Sequence, residues 1–108
     1  MRNLEILDGA FLRAPDYVNA RALAANTAEA VAVPAGASHV VFSGNCDFHA
    51  RYNAALSGTA AAVPGDTTDG TACELNPAAR YIGIGQVAEI SIISTAGGIV
   101  TLAFYGPR

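Results

Sequence analysis

Val87-Ala-Glu-Ile-Ser-Ile-Ile-Ser94 runs through Thr95-Ala-Gly-Gly98 into Ile99-Val-Thr-Leu-Ala-Phe-Tyr105. Both apolar runs are short and rich in β-branched and aromatic residues, which marks them as strands rather than helices. Gly97-Gly98 supplies the positive φ of a tight reversal, so the two runs are expected to pair as a hairpin. Ile90 and Ile92, with Val87, would share one face. Ile99 or Val100, Leu102 and Phe104 would meet them from the last strand.

Working back along the chain, the same grammar recurs. Glu29-Ala-Val-Ala-Val33 stops at Pro34 and Gly36, and Ser38-His-Val-Val-Phe-Ser43 follows, ending in a turn at Gly44-Asn45. Asp47-Phe-His-Ala-Arg-Tyr-Asn53 alternates Phe48, Ala50 and Tyr52 against Asp47, His49, Arg51 and Asn53, the pattern of a half-buried strand. Ala60-Ala-Ala-Val63 reads as a weak strand and Pro64–Thr71 as a loop. Cys73–Asn76 and Ala79–Ile82 are short extended pieces around Pro77. Seven or eight such strands, with turns about every ten residues, predict an all-β fold: an antiparallel β-sandwich or jelly-roll-like domain over residues 28–108.

Residues 1–27 differ. They hold three of the six arginines and little alternation, and Asn19–Ala25 is alanine-rich enough for one or two helical turns. The expectation is an extended N-terminal arm. Leu4, Ile6, Phe11, Leu12 and Tyr17 are its apolar contacts and Arg21 its polar one. Its deletion is expected to leave a folded body.

Composition narrows the function classes. Of 108 residues, 52% are hydrophobic and 14% charged, with a net charge of −3 and no lysine. That is too apolar for a disordered chain and sparsely charged for a small monomer, so part of the surface should be covered by copies of itself or by a partner. No basic patch supports phosphate neutralisation, and no nucleic-acid partner is expected. No apolar run approaches the roughly 18 residues of a membrane span, and no membrane partner is expected. Glu5 and Asp8 interrupt the segment that a secretion signal would need. Cys46 and Cys73 could form one disulfide, although two such thiols in a cytoplasmically made protein are more often free and buried.

Catalytic patterns are missing. His39, Cys46, Asp47 and His49 lie close together if their segments form a hairpin, but no C-x-x-C or H-x-x-x-H spacing supports a metal site. Asp66-Thr-Thr-Asp-Gly70 lacks the terminal glutamate of a calcium loop and reads as a solvated turn. No G-x-S-x-G elbow surrounds Ser43, Ser91 or Ser94. The chain is read as non-enzymatic, with no catalytic, cofactor or metal residues.

From about residue 29, an ordered series of motifs resembles a widespread group of small β-rich bacteriophage virion proteins. Val33-Pro-Ala-Gly36 precedes a strand ending Val41-Phe-Ser43, and Asp47-Phe48 leads the next. Ala62-Val-Pro64 precedes Asp69-Gly70, Glu74-Leu-Asn-Pro77 precedes Arg80-Tyr81, and the chain closes on Ile90-Ser-Ile92 and Val100–Tyr105. The resemblance covers about three quarters of the chain and implies a decoration (cement) protein on the capsid exterior. It would act as a homotrimer bound to the major capsid protein and be made in the bacterial host cytoplasm. The alternative is a receptor- or carbohydrate-binding module of a tail or fibre, recognising through the Pro64–Thr71 loop and the Asn45–Asp47 turn.

Overall fold

A computed structural model of the protein describes residues 14–106. Eight strands follow in order: β1 (Tyr17–Leu23), β2 (Glu29–Ala32), β3 (His39–Gly44), β4 (His49–Asn53), β5 (Glu74–Leu75), β6 (Ala79–Tyr81), β7 (Glu89–Ile93) and β8 (Gly98–Tyr105). They form two antiparallel four-stranded sheets, β1-β8-β3-β6 and β2-β7-β4-β5. The expected β-sandwich is the fold. No helix long and apolar enough to cross a membrane occurs among the described residues.

The core follows from strict alternation. In β8, Val100, Leu102 and Phe104 are at most 1% exposed and point inward, while Ile99, Thr101, Ala103 and Tyr105 point away. Val40 and Phe42 of β3 face inward beside them. From the other sheet come Ile90 and Ile92 of β7, Ala50 of β4 and Val31 of β2. The ring of Phe42 lies 5.8 Å from Phe48 and 6.4 Å from Tyr52, bridging the layers.

Three sequence expectations change. The two terminal runs do not pair with each other: β7 lies between β2 and β4, and β8 between β1 and β3, in the opposite sheet. Gly97 and Gly98 do adopt positive φ, 84° and 152°, but they carry the chain across the sandwich rather than around a hairpin. Their backbone is hemmed in. A Cβ on Gly98 would sit 2.7 Å from Cys46 Sγ. The β3–β4 connection likewise crosses between sheets, so the presumed hairpin there is also an arch.

The second change concerns residues 17–25. The helical turns expected at Asn19–Ala25 do not form, because β1 occupies Tyr17–Leu23 and pairs along its whole length with β8. β8 is a central strand with apolar residues on its inward face, and an extended neighbour satisfies its backbone. A seven-residue segment of mixed Ala, Val and Tyr has too little helical drive to resist that pairing. The part of the expected arm that is described thus belongs to the sandwich from Tyr17 onward.

Residues 54–63 form no strand, although Ala60–Val63 was expected to be a weak one. They make a strap across the outer face of β7. The Glu89 carboxylate, 7% exposed, accepts hydrogen bonds from Asn53 Nδ2 at 3.1 Å, Ser57 N at 3.0 Å and Gly58 N at 3.2 Å. Further along, Ala61 N donates to Ser91 Oγ at 2.8 Å, which buries Ala61. All five residues of β7 are therefore buried, on both faces.

Candidate docking face

Residues directly opposite in antiparallel strands share a face, so the register fixes what the outside of the β1-β8-β3-β6 sheet presents. One row across it is Tyr105, His39 and Tyr81. The next is Val18, Ala103, Val41 and Ala79. Then come Ala20, Thr101 and Ser43, and finally Ala22 with Ile99. With His39 neutral, none of these side chains carries a charge. Val18 is 52% exposed, Ile99 49% and Tyr81 69%. The His39 and Tyr81 rings meet edge to face at 5.1 Å, which braces the aromatic end of the face.

The two sheets are thus unlike on their outsides. The β7 sheet carries its own cover in the strap, held by Glu89 and Ser91. The β8 sheet has no such cover among the described residues, and its outward side chains are small or apolar. A four-stranded, uncharged sheet face with exposed apolar residues on it is a candidate docking surface.

Charges gather instead at the sides of the sandwich. Arg21 of β1 faces inward and pairs with Glu29 of β2, tying the two sheets along one side. On the other side, Arg80 of β6 pairs with Glu74 of β5, its Nε lying 3.1 Å from Oε1 and 3.0 Å from Oε2. Tyr52 Oη donates to the same Glu74 carboxylate at 2.8 Å. The Arg80 hydrogen bonds hold the Glu74 carboxyl below its ordinary value, against a smaller upward push from burial. Burial, then the bond to Glu74, pushes the Tyr52 phenol up, so it stays a protonated donor.

Of the contact residues expected in the arm, Leu4, Ile6, Phe11 and Leu12 lie outside the described residues. Tyr17 is half exposed at the start of β1, its ring 6.5 Å from that of Phe104. Arg21 is turned into the Glu29 pair rather than outward.

The sequence candidates for metal chemistry separate. His39 is on the outside of one sheet and His49, opposite Ile93 and Leu75, on the outside of the other. A sandwich thickness of about 10 Å lies between two such faces. Among the described residues no three His, Cys, Asp or Glu side chains converge. Cys46 and Cys73 are both free thiols.

The two loops proposed as a recognition surface line separate depressions. Asn45, Cys46 and Asp47 border a cleft of about 680 Å³ with Phe42, Asn76 and Pro77. Gly70 and Thr71 border another of about 310 Å³ with Arg51 and Tyr52. The polar groups of the larger cleft are already engaged: Asn45 Oδ1 accepts from Ile99 N, and Asn76 bridges Phe48 N and Asp47. In the loop, Asp69 Oδ1 accepts from both Thr71 N and Thr71 Oγ1, as a self-held turn does.

Sequence reasoning missed the face because it follows the buried side of the strands and cannot tell which outer sides lie next to one another. The signal was present. No residue of Ile99–Tyr105 is charged on either alternation, whereas a solvated antiparallel strand normally carries polar residues on its outer side. No known protein family, curated protein or solved structure matches the chain.

Proposed function

We propose that this chain is a non-enzymatic structural protein that docks through the uncharged outer face of its β8 sheet onto a larger assembly. We further propose that the assembly is a bacteriophage head, which the chain decorates and stabilises. The observation that carries the docking is the contrast between a β7 sheet strapped by residues 54–63 and an uncharged β8 sheet that has no such strap among the described residues. The virion setting is supported by the ordered motif series alone.

Such a face suits a broad, flat target. Its central rows are Ala, Ser, Thr and Val, which let a second surface come close, and the Tyr105–His39–Tyr81 row offers larger anchors at one end. Binding on it removes apolar area from water without desolvating charge. The apolar residues Leu4, Ile6, Phe11 and Leu12, just upstream of β1, would add contact area. Repeated copies on a shell would gain avidity from weak single contacts.

The test is immuno-electron microscopy of intact virions from the source phage, with antibody against this chain. Label over the head is the expected result. Label confined to the tail would replace decoration by the tail or fibre module, and unlabelled particles under conditions that expose buried epitopes would remove the virion assignment.

A further inference from the structure

The four edges of the sandwich are not equally guarded. β5 and β6 have two and three residues, and their edge carries the Arg80–Glu74 pair. β2 has four residues and runs into Pro34. Short strands, charge and proline all keep an edge from pairing with another chain. β1 is different in length and has no proline: seven residues, Tyr-Val-Asn-Ala-Arg-Ala-Leu, whose one charge, Arg21, is held in the Glu29 pair, and among the described residues β8 is its one sheet neighbour.

The open side of β1 can be read from the ladder. Ile99 accepts from Asn45 on the β3 side of β8, so Val100, Leu102 and Phe104 turn their backbone groups toward β1. Their partners are Arg21, Asn19 and Tyr17. Val18, Ala20 and Ala22 therefore direct their N–H and C=O groups outward, away from the sheet.

We propose that β1 is a homodimerisation edge, pairing antiparallel with β1 of a second copy about a two-fold axis at Ala20. In that register Ala20 meets Ala20 of the second copy, Val18 meets Ala22, Asn19 meets Arg21 and Tyr17 meets Leu23. Every match is sterically or chemically compatible, and no like charges face each other. About six backbone hydrogen bonds form between the two edges. Arg21, turned into the Glu29 pair, lies opposite the uncharged Asn19 of the second copy. The pairing yields an eight-stranded sheet whose uncharged outer face is doubled and continuous. Antiparallel pairing about a two-fold closes at two copies, so this edge gives a dimer and not the trimer implied by the resemblance.

The test is a concentration series of the full chain in sedimentation velocity, with amide hydrogen exchange on the same samples. The expected result is a shift from one chain mass of 11.0 kDa to twice that at high micromolar concentration. Amide protection should rise with concentration at Val18, Ala20 and Ala22. Ala20→Pro removes one outward N–H at an edge position where proline is tolerated in the monomer, and should abolish the dimer. Tyr81→Glu, on the far edge, should leave the dimer intact even if it abolishes docking on a shell, which separates this inference from the proposed function. A chain that stays monomeric would overturn the proposal. So would an Ala20→Pro variant that still folds and dimerises, or protection at those amides that is independent of concentration.

Discussion

Glu89 is a carboxylate on the outer side of a fully buried strand, a position that would be costly without partners. Its cost is offset by two backbone N–H groups of the strap and by the Asn53 amide of β4. Glu89→Ala leaves those donors unpaired, at roughly 1–3 kcal/mol for each buried one. The expected outcome is a lower unfolding midpoint and faster limited proteolysis within residues 54–63, read by mass spectrometry. Glu74 makes a different prediction. Its folded carboxyl titrates below the ordinary value of 4.5 because Arg80 donates to it. The pair's contribution is then complete above that ordinary value and fades as pH falls through the lower folded one. Thermal midpoints of the native chain should drop in that acid window, and Glu74→Gln should flatten the drop while lowering the midpoint slightly near neutrality, since the pair is largely solvated.

At the scale of elements, strand content was legible and strand partnership was not. The alternation of Val100, Leu102 and Phe104 fixes which side of β8 is buried, but it says nothing about which strand lies beside it. Gly97-Gly98 serves an arch between sheets as well as a hairpin, since either needs positive φ. Ile90-Ser-Ile-Ile93 carried a hint: an apolar run that alternates poorly wants cover on both faces, which the strap supplies. Ala60-Ala-Ala-Val63 looks extended in the sequence, yet the strap's hydrogen bonds go to side chains of β4 and β7 rather than to a ladder. β1 was hidden by its alanines, whose helical preference lost to a full-length partner. A truncation series checks this placement. Removal of residues 1–13 should keep cooperative unfolding, whereas removal of residues 1–27 takes away β1, bares the flank of β8 and should lose it, as followed by circular dichroism during heating.

At the scale of the molecule, the two broad faces and the two flanks differ in polarity. Two Arg–Glu pairs close the flanks, with the arginine in each case on the β8 sheet and the glutamate on the β7 sheet. One broad face is strapped by the chain's own backbone, and the other is left apolar. A charge placed on the bare face should cost little folding stability and much association. Tyr81→Glu, at a position 69% exposed, is expected to keep the unfolding midpoint within about 0.5 kcal/mol of the native chain. The same change should weaken binding to the particle by tenfold or more in co-sedimentation. The low charge content visible in the sequence pointed to such a surface, but only the register could assemble it from four separated segments.

The place of β8 also sets an order in time. It follows the other seven described strands in the chain, yet it separates β1 from β3 at the heart of its sheet. As the chain leaves the ribosome, β2, β4, β5 and β7 can assemble around one another, while β1 and β3 have no shared neighbour to join. The β1-β8-β3-β6 sheet is therefore completed only once Gly98–Tyr105 has been made. A message or ribosome that stops short of Gly98 releases a chain with one sheet built and the other in pieces, an obvious substrate for chaperones and proteases.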